Sequence, residues 1–396
     1  MSLTTGAINP IEGLTREGQS LWLDNLSRGL ITSGELAQLR DAGVTGITSN
    51  PTIFEKAIGG STDYDAAMAE LMNAGRRPDQ MLWDLMLQDI QAAADIFRPV
   101  YEASGGADGF VSIEVGPAIA GDTQQTIATA QDLHRRAARP NVMVKIPATR
   151  AGLPAIRHMI GEGKHTNVTL IFSVQRYEEV VEAYLSGLED LQSKGGDLHQ
   201  VSSVASFFVS RVDTKIDKLL TARIEASKSP RRKRELARLY GKAGIANSKM
   251  AYWRYGELFS GPRWEALERN GARVQRCLWA STSVKDARYR DTMYVEELIG
   301  PDTIDTVPNA TLAAFVEHGR VRSSLDEYLY GARHDLEELG EVGIDLDQVT
   351  RELEVEGVEA FVKSYDGLLE TITKATRKIE SAPSGATASH QTVSSA

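Results

Sequence analysis

Apolar residues run along this chain in two rhythms. The first is a set of short apolar runs with β-branched and aromatic content, the pattern of buried strands. These are SLWLDN (20–25), GITSN (46–50), FVSIEV (110–115) and NVMVKIPAT (141–149), followed by NVTLIF (167–172), SVASFFVS (203–210), VQRCLWAS (274–281) and DTIDTVP (302–308). The second rhythm is helical spacing in the stretches between them. SGELAQLRDAG follows the first run, with Leu36 and Leu39 on one face and Gly43 as the stop. DTQQTIATAQDLHRRAARP follows the third, with an acidic start, a basic end and a proline after it. SVQRYEEVVEAYLSGLEDL follows the fifth.

Strands alternating with helices predict parallel pairing through right-handed crossovers, and eight strands predict a closed (β/α)8 TIM-type barrel. An open doubly wound sheet is the alternative. Two connections are long: Pro51 to Gly109 has room for at least two helices, and Val212 to Gly271 for two or three more. After the eighth strand, Val358, Phe361, Val362, Tyr365, Leu368, Leu369 and Ile372 fall at helical spacing. That last helix must pack against something. The expected organisation is one barrel domain over residues 1–380, with extra helices after strands 2 and 6 and at the C-terminus. The Ser/Ala/Thr-rich stretch 381–396 is expected to be disordered.

Composition narrows the function classes. Apolar residues make up 42% and charged residues 25%, as in ordinary globular proteins. A net charge of −10 argues against nucleic acid or an anionic membrane as partner. An anionic small substrate stays possible in a local basic pocket. The single cysteine, Cys277, excludes an internal disulfide framework and fits the cytoplasm. The N-terminus lacks the basic and apolar regions of a signal peptide, and no apolar run approaches the roughly 20 residues of a membrane span. The basic stretch SPRRKRELARLYGK reads as a solvated helix face. His158 and His165 are not spaced as metal ligands, and no H-E-x-x-H motif occurs, so no metal is expected.

One run carries an anomaly. Lys145 sits among Val142, Met143, Val144 and Ile146. Burying an ammonium without a partner is costly, and a lowered pKa is the usual relief. In a barrel, catalytic groups sit at the C-terminal ends of the strands. Here those ends carry Asp24, Asn50, Glu114, Lys145, Thr169, the stretch Ser206 to Arg211, and Ser281. Each alone has a structural explanation: Asp24 as a helix cap, Asn50 before Pro51 as an Asx-turn, Glu114 as half of an ion pair. Together they bring a lysine and two carboxylates to one rim. A neutral lysine amine attacks a ketone and forms a Schiff base. Carbinolamine formation and dehydration need proton transfers, and cleavage beside a hydroxyl needs a base. Two carboxylates can divide these tasks. Such a class I aldolase site uses no metal or organic cofactor.

At this point the sequence resembles the transaldolase family, in its longer bacterial subgroup. GITSNPTIF (46–54) resembles the first family signature, and VMVKIPATRAGLPAIRHM (142–159) the second, which surrounds the Schiff-base lysine. NVTLIFS and SFFVSRVD resemble the fifth and sixth barrel strands. The resemblance runs from about Leu21 to Pro308. It implies Lys145 as nucleophile and Asp24 as acid and base at the C4 hydroxyl. It implies Glu114, through a water, working with Thr169 on the carbinolamine. Asn50 and Asn167 would hold hydroxyls and the enamine, and Ser206 and Arg211 the substrate phosphate. Ser281 matches a family serine. Two departures stand out. Glu114 is followed by Val115 and Gly116, where shorter members have a more acidic context. Ser283 stands where they have a phosphate-binding arginine. Lys285, further along, is the candidate replacement, with a solvated loop lysine as the alternative.

The implied activity is transfer of a dihydroxyacetone unit from sedoheptulose 7-phosphate or fructose 6-phosphate to glyceraldehyde 3-phosphate or erythrose 4-phosphate, in the non-oxidative pentose phosphate pathway. The implied partners are sugar phosphates, and family habit implies a homodimer, although no motif here marks an interface. Two rivals stay open: a simple aldolase releasing free dihydroxyacetone, and a non-catalytic sugar-phosphate-binding protein. Phe208 bears on the first rival, because a phenol in place of its apolar ring would protonate the enamine.

Overall fold

The computed structural model describes residues 9–381. Eight parallel strands close into a barrel in chain order, with β1 (Gln19–Leu23) paired to β8 (Thr303–Val307). Helix α1 (Pro10–Arg16) precedes β1; α2 (Arg28–Thr32) and α3 (Glu35–Asp41) lead to β2 (Gly46–Ile47). Three helices, α4 (Pro51–Gly59), α5 (Asp65–Asn73) and α6 (Pro78–Ala103), then precede β3 (Val111–Glu114). Single helices connect the next strands: α7 (Thr123–Ala137), β4 (Val142–Pro147), α8 (Gly152–Ile160), β5 (Thr166–Ile171), α9 (Val174–Ser193) and β6 (Ser203–Phe208). Four helices, α10 (Ser210–Ala226), α11 (Pro230–Ala237), α12 (Ala243–Leu258) and α13 (Gly261–Arg269), come before β7 (Arg276–Ala280). Short α14 (Met293–Glu297) precedes β8, and α15 (Asn309–His318), α16 (Leu329–Glu341) and α17 (Leu346–Ser381) follow it.

The expected barrel and its extra helices are therefore present. Ser173, Asp122 and Ser229 cap α9, α7 and α11 with their side chains, which fixes where these helices start. Strand β2 departs most from expectation. Strand β2 is only two residues long, and the chain leaves it early because Asn50 starts α4. Helix α6 runs through Pro99, whose lost hydrogen bond does not stop a helix packed by Leu82, Leu85, Ile90 and Phe97. Of the expected disordered stretch 381–396, all but Ser381 lies outside the described residues. No described helix is long and apolar enough to cross a membrane.

The strands are buried on both faces, so two apolar clusters form. Val142, Val144 and Ile146 of β4 belong to the shell between barrel and helices. Met143 belongs to the inner cluster, with Trp22, Phe110, Val204, Leu278 and Ile304. Side chains alternate along a strand, so Lys145 points inward with Met143, one step nearer the C-terminal mouth. This alternation explains how a lysine sits inside an apolar run. The final helix, α17, is 36 residues long and packs on α4 and α6.

Candidate active site

Register places the central groups side by side. Glu114 pairs with Lys145 across β3 and β4, and Lys145 pairs with Asn167 across β4 and β5. Lys145 Nζ lies 3.1 Å from Glu114 Oε2 and donates to the Ser49 carbonyl at 3.2 Å. The lysine is only 5% exposed and the glutamate 2%. The lysine inside the apolar run is thus half of a buried ion pair with Glu114. Burial raises the Glu114 pKa, and the Lys145 charge opposes that rise. Neither Glu114 oxygen, nor the buried Thr169 hydroxyl, meets a well-aligned hydrogen-bond partner.

Asp24 follows β1 and accepts a 2.7 Å hydrogen bond from Thr48, whose hydroxyl also stands 2.7 Å from that of Thr306. Burial raises the Asp24 pKa against the pull of Lys145, Thr48, Arg211 and Lys285. The two carboxylates therefore meet the same lysine in different settings. Glu114 is sealed into the wall, whereas Asp24 borders a cleft of about 360 Å³.

Nine of the sequence candidates line that cleft: Asp24, Asn50, Lys145, Thr169, Ser206, Phe208, Arg211, Ser281 and Lys285. Glu114 and Asn167 sit in the wall behind it. Asn167 donates to Ser112 at 3.0 Å and accepts from Ser206 at 2.7 Å, so Ser206 has its proton engaged inside the barrel. Asn50, read from the sequence as an Asx-turn residue, caps α4 by accepting from the Ile53 amide at 3.0 Å and also lines the cleft. Ser281 has φ +58° and stands 2.9 Å from the Ser210 hydroxyl. Leu170 has φ +60° at a bulge in β5 directly after Thr169. Both strained residues sit at the rim, where such conformations commonly serve function.

Sequence reasoning missed Thr48, Lys56 and Phe361. Lys56 of α4 and Phe361 of α17 line the cleft. Lys145 Nζ lies 5.7 Å from the Phe361 ring, and the Arg211 guanidinium 5.8 Å from it and 5.1 Å from Phe208. The helical spacing of α17 made Phe361 legible as a packing residue, but nothing local told what it would cover. Arg211, Lys285 and Lys56 form no ion pair among the described residues, in a chain whose other arginines are mostly paired. Partial burial and the charges of Arg211 and Lys56 pull the Lys285 pKa down. Three unpaired cations at one end of a cleft in an acidic protein mark a place for an anion.

Comparison with known proteins meets this geometry. A profile of the transaldolase/fructose-6-phosphate aldolase family matches residues 21–372. The chain belongs to this family. Transaldolase 1 of Streptomyces avermitilis is 48% identical over 379 residues, covering 95% of this chain and 98% of the relative. The transaldolase of Saccharopolyspora erythraea is 49% identical over 364 residues, covering 91% and 96%. Transaldolase 2 of a Nostoc species is 45% identical over 370 residues, covering 92% and 97%.

His165 and Cys277 stay outside the site. His165 is buried, accepts the Ser202 amide at 3.0 Å, and is pushed down to about 4 by burial. Cys277 is buried beside Tyr177. Among the described residues no group of three acidic, histidine or cysteine side chains could hold a metal.

Proposed function

We propose that this chain is a transaldolase that moves a dihydroxyacetone unit from sedoheptulose 7-phosphate or fructose 6-phosphate to an aldose phosphate. The observation that carries the reading is Lys145 Nζ at 3.1 Å from Glu114, with Asp24 across an open cleft. Lys145 attacks the ketone carbon after giving a proton to Glu114. Glu114 and Thr169 then carry protons through carbinolamine formation and loss of water. Asp24 takes the proton of the C4 hydroxyl as the C3–C4 bond breaks, and the electron pair moves onto the iminium nitrogen. The aldose phosphate leaves and the three-carbon enamine stays bound. The acceptor aldehyde repeats these steps in reverse.

Arg211 and Lys285, with Ser281 nearby, hold the substrate phosphate; Ser206, expected with Arg211 on the phosphate, has its proton engaged by Asn167 and is assigned instead, with Asn50 and Asn167, to the sugar and the enamine. No tyrosine is found among the described residues that line the cleft, and Phe208 presents an apolar ring. This favours transfer over protonation and release. A single buried cysteine and phosphorylated substrates fit the cytoplasm. Borohydride reduction in the presence of fructose 6-phosphate, followed by peptide mapping, tests the reading. The expected adduct is on the Lys145 peptide, and its absence would overturn both the transferase and the aldolase versions.

A further inference from the structure

The loop after β7, which carries Lys285 to the cleft, is tied to the helix that carries Arg211. Asp217 on α10 is the tie. Tyr289 of the loop donates to Asp217 Oδ2 at 2.6 Å, and the Gly241 amide donates to Oδ1 at 3.1 Å. The tyrosine ring closes over Gly241, where a Cβ would stand 2.7 Å from it; Gly241 also has φ +68°, so this position needs glycine twice over. Beside Tyr289, Arg288 lies 4.3 Å from the Tyr240 ring and pairs with Asp286 at 2.6 Å. One turn earlier on α10, Asp213 accepts the Gly244 amide at 2.7 Å.

Lys285 is the hinge between two spaces. It lines the active cleft, and it also lines a second cavity of about 420 Å³ walled by Asp213, Asp217, Asp286 and Tyr289. Its ammonium donates to the Ser283 hydroxyl; Arg211 and Lys56 repel it and Asp24 attracts it, while three carboxylates wall the second cavity. The loop backbone, held by Tyr289, limits how far it can turn away.

We propose that Tyr289 is a positioning residue for phosphate recognition: by anchoring the loop to Asp217 it holds Lys285 beside Arg211. This rests on the reading that Arg211 and Lys285 bind the substrate phosphate. Tyr289 touches no reacting atom, so its loss acts on phosphate affinity and leaves the Schiff-base chemistry intact.

The test is steady-state initial rates of the full chain at saturating sedoheptulose 7-phosphate, with glyceraldehyde 3-phosphate or unphosphorylated glyceraldehyde as acceptor. In Tyr289→Phe, KM for the phosphorylated acceptor rises about tenfold while kcat, and KM for glyceraldehyde, stay within about twofold. An equal rise for both acceptors, or no rise, overturns the proposal. Tyr289→Phe in a Lys285→Met background adds nothing beyond Lys285→Met alone; a further full loss there also overturns it. Asp217→Ala removes the acceptor of the Tyr289 hydroxyl and gives the same selective rise if Tyr289→Phe does not fold. Arg211→Gln separates the two readings. If it retains the preference for phosphorylated acceptor, the phosphate site itself is wrong; if it loses the preference while Tyr289→Phe does not, only the positioning role fails.

Discussion

Lys145 and Glu114 stand on neighbouring strands with Nζ 3.1 Å from Oε2, the lysine at the cleft lining and the glutamate buried in the wall behind it. A carboxylate this close gives the amine a proton acceptor before attack and a proton donor for the departing hydroxyl. Glu114→Gln keeps the shape and removes that exchange. The rate of borohydride-trappable adduct formation should fall about 10² to 10⁴-fold, the usual worth of a positioned acid or base. Lys145→Arg should form no adduct at all. Unchanged trapping kinetics in the glutamine variant would exclude Glu114 from the carbinolamine steps.

Asp24 lines the same cleft, and in the proposed cycle it acts after the Schiff base exists. In Asp24→Asn the ketose phosphate still condenses with Lys145, but the C3–C4 bond stays intact. Mass mapping after reduction should find the whole six-carbon phosphate on the Lys145 peptide, where the unaltered enzyme leaves a mixture with the three-carbon piece. A three-carbon adduct at normal abundance in the variant would remove Asp24 from the cleavage step.

Phe361 shields the reacting nitrogen with a ring that is 4% exposed and 5.7 Å away. Truncation to alanine opens the enamine to water. Free dihydroxyacetone should rise relative to transferred product, and the thermal midpoint should fall, since deleting a buried phenylalanine costs about 3 to 5 kcal/mol. A fall in midpoint with no change in product ratio would leave Phe361 a packing residue only.

Asp305 is fully buried on β8 beside Trp279 and Leu21, and burial pushes its pKa from 3.8 up to about 7. The folded chain thus holds a proton that the unfolded chain has released. Its contribution is present below 3.8 and is lost as pH rises toward 7. Asp305→Asn replaces the acid by a neutral amide of the same shape. Urea melts from pH 4 to 8 should show a flatter decline for the variant, and a gain on the order of a few kcal/mol at the upper end. Parallel curves for the two proteins would show that Asp305 ionises without cost.

Much of the barrel was legible because strand and helix rhythms are local. All eight expected strands are present, and Gly43 ends α3 with φ +107°, a conformation that glycine adopts freely. At Pro99 packing carries α6 past a residue that a local rule taken alone would treat as a stop. The direction of Lys145 was harder to read, because a strand buried on both faces has no polar alternation to mark its inner side. Asn50 illustrates the overlap of roles, since one side chain caps α4 and borders the cleft.

The sequence by itself determined the order of the elements and the residue types at the strand ends, because both follow from neighbours a few positions apart. Only the tertiary structure decided what those ends meet. Barrel closure set Glu114 against Lys145 and brought Thr48 to Asp24. The packing of α17 on α4 carried Phe361 over the lysine and left Lys56 on the rim. Tyr289 reached Asp217 only because the β7 loop folds back on α10. These contacts join segments far apart along the chain, and their distances depend on the whole barrel closing, which no local pattern encodes.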